Sequence, residues 1–220
     1  MQSRTALFRI GYTSHIASYT DRGLDNFGWA EHPADLAEIA PPQDARTKEF
    51  EPRKALETAM NVFWRFGYEH TSLDVLMRET GIARQSLYDT FGDKRALYMQ
   101  ALTQYRDNDH ARLRRLFASG QPVKEGFATI LLGISGESRE EHQRGCLLLS
   151  ANMERDAKHK VIAAFLLDNQ LKTEAIFTEA LRRAQASGEV SDKHDPVALA
   201  RFFVETIQGM RAMAKGTVTK

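Results

Sequence analysis

The sequence predicts an all-α fold, and three observations lead to that prediction. Apolar residues recur at the three- and four-residue spacing of amphipathic helices through most of the chain after residue 50. Many of these segments carry helix start or stop signals, such as Ser or Asp before the first turn and Gly after the last. No segment alternates apolar and polar residues as a half-buried strand does. We therefore expect helices packed on helices.

Residues 73–91, LDVLMRETGIARQSLYDTF, predict two short helices joined by a tight turn at Gly81. Thr71-Ser72 can cap the first helix. The apolar residues that hold the two helices together are Leu73, Leu76, Met77, Ile82 and Leu87. The polar residues of the second helix that point away from this core are Arg84, Gln85, Ser86, Tyr88 and Asp89. A short polar helix that is buttressed by another helix is the layout of a helix-turn-helix.

Helices on either side complete this small domain. A helix begins near Glu51, with Pro52 in the first turn, where its missing N–H costs nothing, and it ends at Gly67. Asp93 can cap a long helix that runs from Lys94 to about residue 117 and leads into a second domain. Further helices are predicted over residues 122–134, 138–143, 145–154, 158–187 and from 195 onwards.

The expected domains are an irregular N-terminal extension over residues 1–46, a helix-turn-helix domain over 47–93 and a further helical domain over 94–220. The extension lacks lasting periodicity, and Pro41-Pro42 lie near its end. Two other interpretations of it stay open, an added DNA-contacting arm and a translation start chosen too far upstream.

Composition sets limits on function. The formal net charge is +1, and basic and acidic residues balance between residues 51 and 105, so no global field draws the chain to nucleic acid. A few well-placed contacts nevertheless suffice to position a small module on DNA. The one cysteine, Cys146, fits a reducing compartment, and we expect a cytoplasmic protein. No apolar run is long enough to span a bilayer, and we expect no membrane association.

The string FGYEHTSLDVLMRETGIARQSLYDTFGDKRALY resembles the TetR family of bacterial transcription repressors. The resemblance covers residues 51–100, and the segments RGCLLLSANME and LRRAQASGEV resemble a common subgroup within the ligand domain. Two residues depart from the family pattern. Met77 stands where a small residue is usual, and Asp89 brings a negative charge next to the expected phosphate backbone.

The resemblance implies that residues 84–88 enter the major groove of double-stranded operator DNA. Arg84 can then donate to guanine O6 and N7, and Gln85 can pair with adenine N6 and N7. Lys94 stands at a helix start, where the helix dipole also favours a phosphate. The expected DNA-contacting residues are Thr71, Ser72, Arg84, Gln85, Ser86, Tyr88 and Lys94. Asp89 can cap the helix, pair with Arg84 or Lys94, or accept from a cytosine amino group.

The resemblance also implies that the helical domain over residues 94–220 is a ligand-binding and dimerisation domain. A homodimer would then read a palindrome, and a small-molecule inducer would release it. Candidates for the dimer interface are Phe177, Leu181, Phe203, Ile207 and Met210, any of which could instead be internal core. Candidates for an inducer pocket are Tyr98, Tyr105, Phe127, Ile130, Leu131, Met153, Phe165, Asn169 and Phe202, with Asn152 and Gln170 as further polar anchors. These apolar residues could equally fill the interior.

Cys146 admits two interpretations. It lies at a predicted helix start near Arg144, a setting that lowers a thiol pKa and favours oxidation or alkylation, so a cysteine-based electrophile sensor is one hypothesis. A small buried apolar residue is the other. An enzyme is not expected, because the histidines show no metal-ligand spacing and no nucleophile or phosphate-binding motif occurs. No metal or cofactor is expected. A helical ligand-binding dimer without DNA binding remains an alternative.

Overall fold

The computed structural model describes residues 50–154 and 160–217, and all regular secondary structure within them is α-helical. The helices are α1 Pro52–Phe66, α2 Leu73–Thr80, α3 Arg84–Phe91, α4 Lys94–Ala118, α5 Val123–Ser135, α6 Arg139–Arg144, α7 Leu147–Glu154, α8 Lys160–Ala186 and α9 Pro196–Thr217. The described residues belong to one compact unit. The all-α prediction is confirmed. The predicted extension over residues 1–46 lies outside the described residues.

Local rules explain how α1, α2 and α3 begin and end. Gly67 ends α1 at a φ of 76°, and Ser72 caps α2 by accepting from the backbone N–H of Val75. Gly81 ends α2 in the left-handed region, with a φ of 70°, which glycine adopts without steric cost. Leu76 and Leu87 are buried between these helices, which therefore form the predicted helix-turn-helix.

Helix α4 joins two regions of the core. Asp93 caps it by accepting from the backbone N–H of Ala96 at 2.7 Å. Near its start, Tyr98 is buried and its ring lies edge-on to that of Phe63 on α1, with centroids 4.9 Å apart. Near its end, Leu113 belongs to a second apolar cluster formed with α5, α8 and α9. One continuous helix therefore connects the helix-turn-helix with the remaining helices.

Aromatic stacking holds the second cluster together. The rings of Phe127 on α5 and Phe203 on α9 stack with centroids 3.8 Å apart, and Phe177 on α8 meets Phe127 edge-on. Two large apolar residues of α8 and α9 are exposed instead of packed in this cluster, since Leu171 is 55% and Phe202 60% accessible. No helix among the described residues has the length and apolarity needed to cross a membrane.

Candidate nucleic-acid interface and ligand cavity

The outer face of α3 carries the side chains expected to read DNA. Leu87 and Phe91 point into the core and fix the rotation of the helix. The side chains exposed by this rotation are Arg84, Gln85, Ser86, Tyr88 and Asp89. An eight-residue helix with a free polar face can enter a major groove.

Two carboxylates hold the first two of these side chains. Arg84 donates from Nη2 to Oδ1 of Asp74 on α2, over 3.1 Å. Gln85 donates from Nε2 to Oδ1 of Asp89, one helical turn further along α3, over 2.8 Å. Of the interactions expected for Asp89, none involves Gln85, so this hydrogen bond is a finding of the structure. The Arg84–Asp74 pair is exposed, so its contribution to stability is small and it exchanges readily for other partners.

The residues expected at helix starts differ in their suitability. Ser72 is exposed at the N-terminus of α2. Thr71 does not fit the prediction, because it is fully buried and its hydroxyl donates to the carbonyl of Gly67 at 2.6 Å. Lys94 is partly buried, with its ammonium 4.2 Å from the centre of the Tyr68 ring. Burial lowers the pKa of Lys94, while the carboxylate of Glu69 acts in the opposite direction.

A cavity of about 530 Å³ lies among α4, α5, α7, α8 and α9. Of the pocket residues predicted from sequence, Ile130 and Asn169 line it, as do the suggested anchors Asn152 and Gln170. Its apolar wall includes Leu113, Leu148, Leu149, Leu166, Phe177, Val204 and Ile207. A mostly apolar cavity of this size with a few polar groups is typical of a small-molecule site.

The other predicted pocket residues do not line the cavity. Those placed elsewhere are Tyr98, Tyr105, Phe127, Leu131, Met153, Phe165 and Phe202. Tyr98 and Phe127 are buried in the two apolar clusters, and the ring of Tyr105 packs edge-on against Trp64. Phe165 lies under the guanidinium of Arg106. Met153 and Phe202 are exposed, and Leu131 is partly buried outside the cavity.

Sequence reasoning missed the charged residues of the cavity wall. Asp109, Arg112 and Arg211 line it, and each is neutralised by an ion pair. Arg112 bonds Asp109 at 2.8 Å, and Arg211 bonds Glu137 at 3.1 Å. The sequence of α8 does carry a signal for the cavity wall. Its lining residues follow helical spacing but mix apolar and polar side chains: Leu166, Asn169, Gln170, Thr173 and Phe177.

Short contacts join the cavity wall to α1. The indole N–H of Trp64 donates to the carbonyl of Gly145 at 2.8 Å, and the guanidinium of Arg144 lies 4.3 Å from the centre of the indole. At the far end of α7, the carboxylate of Glu154 accepts from the backbone N–H of Tyr68 at 3.0 Å. The segment before α7 is therefore tied to α1, and the end of α7 is tied to the turn between α1 and α2.

Two family models match the chain. The model of bacterial regulatory proteins of the tetR family matches residues 55–101, and that of the tetracyclin repressor-like C-terminal domain matches residues 128–218. This chain belongs to the TetR family. The first match spans α2 and α3 together with parts of α1 and α4, and the second includes α7, α8 and α9. The chain is therefore a DNA-binding transcriptional regulator.

Relatives within the TetR family agree over most of the chain. The uncharacterised HTH-type transcriptional regulator YezE of Bacillus subtilis is 34% identical over 78% of this chain and 90% of its own length. The repressor ComR of Escherichia coli is 30% identical over 77% of this chain and 82% of its own. A cysteine-substituted form of the TetR regulator CifR, solved with 26-base-pair operator DNA, aligns with a TM-score of 0.68 and 28% identity over 76% of this chain and 88% of its own.

Two of the five predicted dimer residues of this TetR-family chain are internal. Phe177 and Leu181 are only 1% and 2% accessible, so they are core residues and cannot form an interface without unfolding. Phe203, Ile207 and Met210 pack against that core and are partly accessible. The accessible apolar residues on α8 and α9 include Leu167, Leu171 and Phe202.

Cys146 lies immediately before α7, as predicted, and lines the cavity. Its thiol lies close enough to the hydroxyl of Tyr105 to interact with it. Burial, followed by the nearby thiol and the carboxyl of Asp109, raises the pKa of Tyr105 above its usual range. The hydroxyl therefore stays protonated beside the thiol. No three His, Cys, Asp or Glu side chains within the described residues are grouped to hold a metal ion.

Proposed function

We propose that this regulator is a repressor that binds a palindromic operator as a homodimer and is released when a small molecule occupies the cavity. It acts by binding and not by catalysis. The observation that carries the proposal is the exposed polar face of α3, held over a buried apolar core. The repressor ComR and the operator complex of CifR support the same interpretation.

In this proposal Arg84 and Gln85 contact base edges, and Ser86 and Tyr88 contact bases or phosphates. Ser72 and Lys94 contact phosphates at the starts of α2 and α4. The test is a gel-shift titration with the region upstream of the protein's own gene. Arg84→Ala should weaken specific binding by about tenfold or more, because one good bidentate base contact contributes about 1–3 kcal/mol.

Arg183→Ala is the matched control for that experiment. Arg183 is also an exposed arginine paired with a carboxylate, that of Glu179, but it lies on α8 away from the helix-turn-helix. Its substitution should change the DNA affinity by less than about twofold, because a surface substitution away from the helix-turn-helix has little effect. If Arg84→Ala and Arg183→Ala behave alike, α3 does not read DNA, and the alternative of a helical dimer without DNA binding is favoured.

The proposed homodimer uses the outer surface of α8 and α9. Leu171 and Phe202 give these helices exposed apolar side chains, which a second copy could cover. Phe202→Glu should produce monomers in sedimentation velocity and weaken operator binding. Leu132→Glu on α5 is the matched control, because Leu132 is 70% exposed and lies on a different helix. If the dimer persists in the Phe202→Glu variant and is lost in the Leu132→Glu variant, the interface lies on α5 and not on α8 and α9.

The proposed release depends on contacts between the cavity and α1. Leu148 and Leu149 of α7 line the cavity. Gly145, just before α7, is bonded to Trp64 of α1, and Glu154 at the end of α7 is bonded to the turn that follows α1. A ligand that displaces α7 would shift α1, and α4 would tilt with it, which changes the spacing of the two recognition helices. By linkage, operator DNA must then weaken the ligand by the same factor as the ligand weakens DNA.

A second candidate for the release signal is an electrophile that modifies Cys146. The supporting observation is that the thiol lines the cavity beside the Tyr105 hydroxyl. N-ethylmaleimide is a suitable probe, because the chain has a single cysteine. Treatment should release operator DNA from the natural protein and not from the Cys146→Ser variant. Equal release from both proteins would dismiss the cysteine hypothesis.

A further inference from the structure

The hydrogen bond between Gln85 and Asp89 leads to an inference about which base the recognition helix selects. Both residues lie on the exposed face of α3, four positions apart, and the Nε2 to Oδ1 distance is 2.8 Å. Residues at this spacing are neighbours on a helix surface, so the contact needs no distortion of the backbone. Asp89 is also the residue of this helix that departs from the TetR family pattern.

A carboxylate fixes the orientation of an amide. A free glutamine side chain can turn over and exchange its oxygen for its nitrogen, and it carries two N–H donors. An ionised aspartate only accepts, so the amide must turn its nitrogen towards Asp89. One N–H of Gln85 is then occupied. One N–H and the oxygen remain for a partner in the groove.

This remaining pair suits adenine and not guanine. Adenine presents the N7 acceptor beside the N6 donor in the major groove, which matches one N–H and one oxygen. Guanine presents two acceptors, N7 and O6. A free Gln85 could turn both N–H groups towards guanine, whereas Gln85 held by Asp89 has only one to give and would bring its oxygen against O6.

We propose that Asp89 is a positioning residue that makes Gln85 select adenine over guanine at one position of each operator half-site. The inference rests on the proposed binding of operator DNA by α3. Asp89 itself weakens the attraction to phosphates, because its charge has the same sign as theirs, and the gain is discrimination between two purines. The neighbouring Arg84–Asp74 pair lies on the same surface and offers an internal comparison.

The test is selection of bound sequences from a random DNA pool with the natural full-length chain and four variants. Gln85→Ala identifies the position in question as the one whose base preference disappears. The natural chain should prefer adenine over guanine there by about fivefold or more, the lower range for a bidentate base contact. Asp89→Ala should reduce this ratio below about twofold while the other positions keep their preferences.

Two further variants separate positioning from charge. Asp89→Asn has nearly the same shape, but its amide can either accept from Gln85 or donate to it, so the orientation of Gln85 is no longer fixed and the adenine preference should fall as in Asp89→Ala. Asp74→Ala removes another exposed carboxylate, the one beside Arg84, and should leave the Gln85 position unchanged. Far-ultraviolet circular dichroism should find all variants folded, because these side chains are exposed.

Three results would overturn the inference. Asp89→Ala could keep the adenine preference, Asp74→Ala could lose it as fully as Asp89→Ala does, or Asp89→Ala could alter a position that Gln85→Ala leaves alone. The last result would mean that Asp89 reads a base of its own. A natural chain that selects no sequence at all would instead refute the proposed function.

Discussion

Trp64→Phe tests the link between α1 and the cavity wall. The substitution keeps an aromatic ring but removes the N–H that donates to the Gly145 carbonyl at 2.8 Å. Gly145 is buried, so its carbonyl would lose this partner at a cost of about 1–3 kcal/mol. The guanidinium of Arg144 would also lie over a poorer π-system, which removes at most about 0.5 kcal/mol more. We expect a total loss of about 1–3.5 kcal/mol in the free energy of unfolding.

Urea unfolding followed by far-ultraviolet circular dichroism, at one fixed protein concentration, measures this loss. Phe66→Leu is the control, because Phe66 is an aromatic residue of the same helix that is 43% exposed. Its substitution should change the free energy of unfolding by about 0.5 kcal/mol or less. Equal midpoints and slopes for Trp64→Phe and Phe66→Leu would refute the reasoning, because the indole bond would then contribute nothing.

Three further predictions concern stability. Burial lowers the pKa of His110 below its usual 6.5, so the unfolded chain binds the proton first and stability falls as the pH drops below 6.5. His110→Gln should flatten that decline in melting temperature between neutral and mildly acid pH. Gly67→Ala should cost more than about 1 kcal/mol, because its φ is 76° and the new Cβ would lie 2.5 Å from the Glu154 carboxylate. In urea unfolding, the double variant with Glu154→Ala should recover only the part of the lost stability that comes from this contact, and the cost of the positive φ should remain. Asp93→Ala should cost about 1 kcal/mol in the same assay, because it removes the cap of α4, while Asp93→Asn should cost much less.

Local chemistry explains why the fold was predictable from the sequence. The cap at Ser72, the left-handed turn at Gly81 and the cap at Asp93 each depend on residues within one helical turn. The inner faces of α1 and α3 follow from helical spacing alone. The exposure of the α3 polar residues then follows from the burial of Leu87 and Phe91, without knowledge of the rest of the chain.

The cavity and the outer face of α8 were less predictable, because they depend on how separate helices meet. Leu166 and Leu167 are adjacent and equally apolar, yet one is buried and the other is 58% exposed. Phe202 and Phe203 differ in the same way, since Phe202 is exposed and Phe203 stacks on Phe127. Composition cannot separate such neighbours. The rotation of each helix decides, and contacts from distant parts of the chain set it.

The charge balance between residues 51 and 105 gains a physical meaning from two of its acidic residues. Asp74 and Asp89 contact Arg84 and Gln85, the side chains proposed to read bases. Each acid reduces the attraction of α3 for any phosphate backbone, which weakens binding to unrelated DNA. Each also holds a reading side chain in one arrangement before DNA arrives, so less side-chain entropy is lost on binding the matching base pair. Near-neutral charge therefore agrees with a module whose affinity comes from matched bases and from a second copy, and not from a general attraction to DNA.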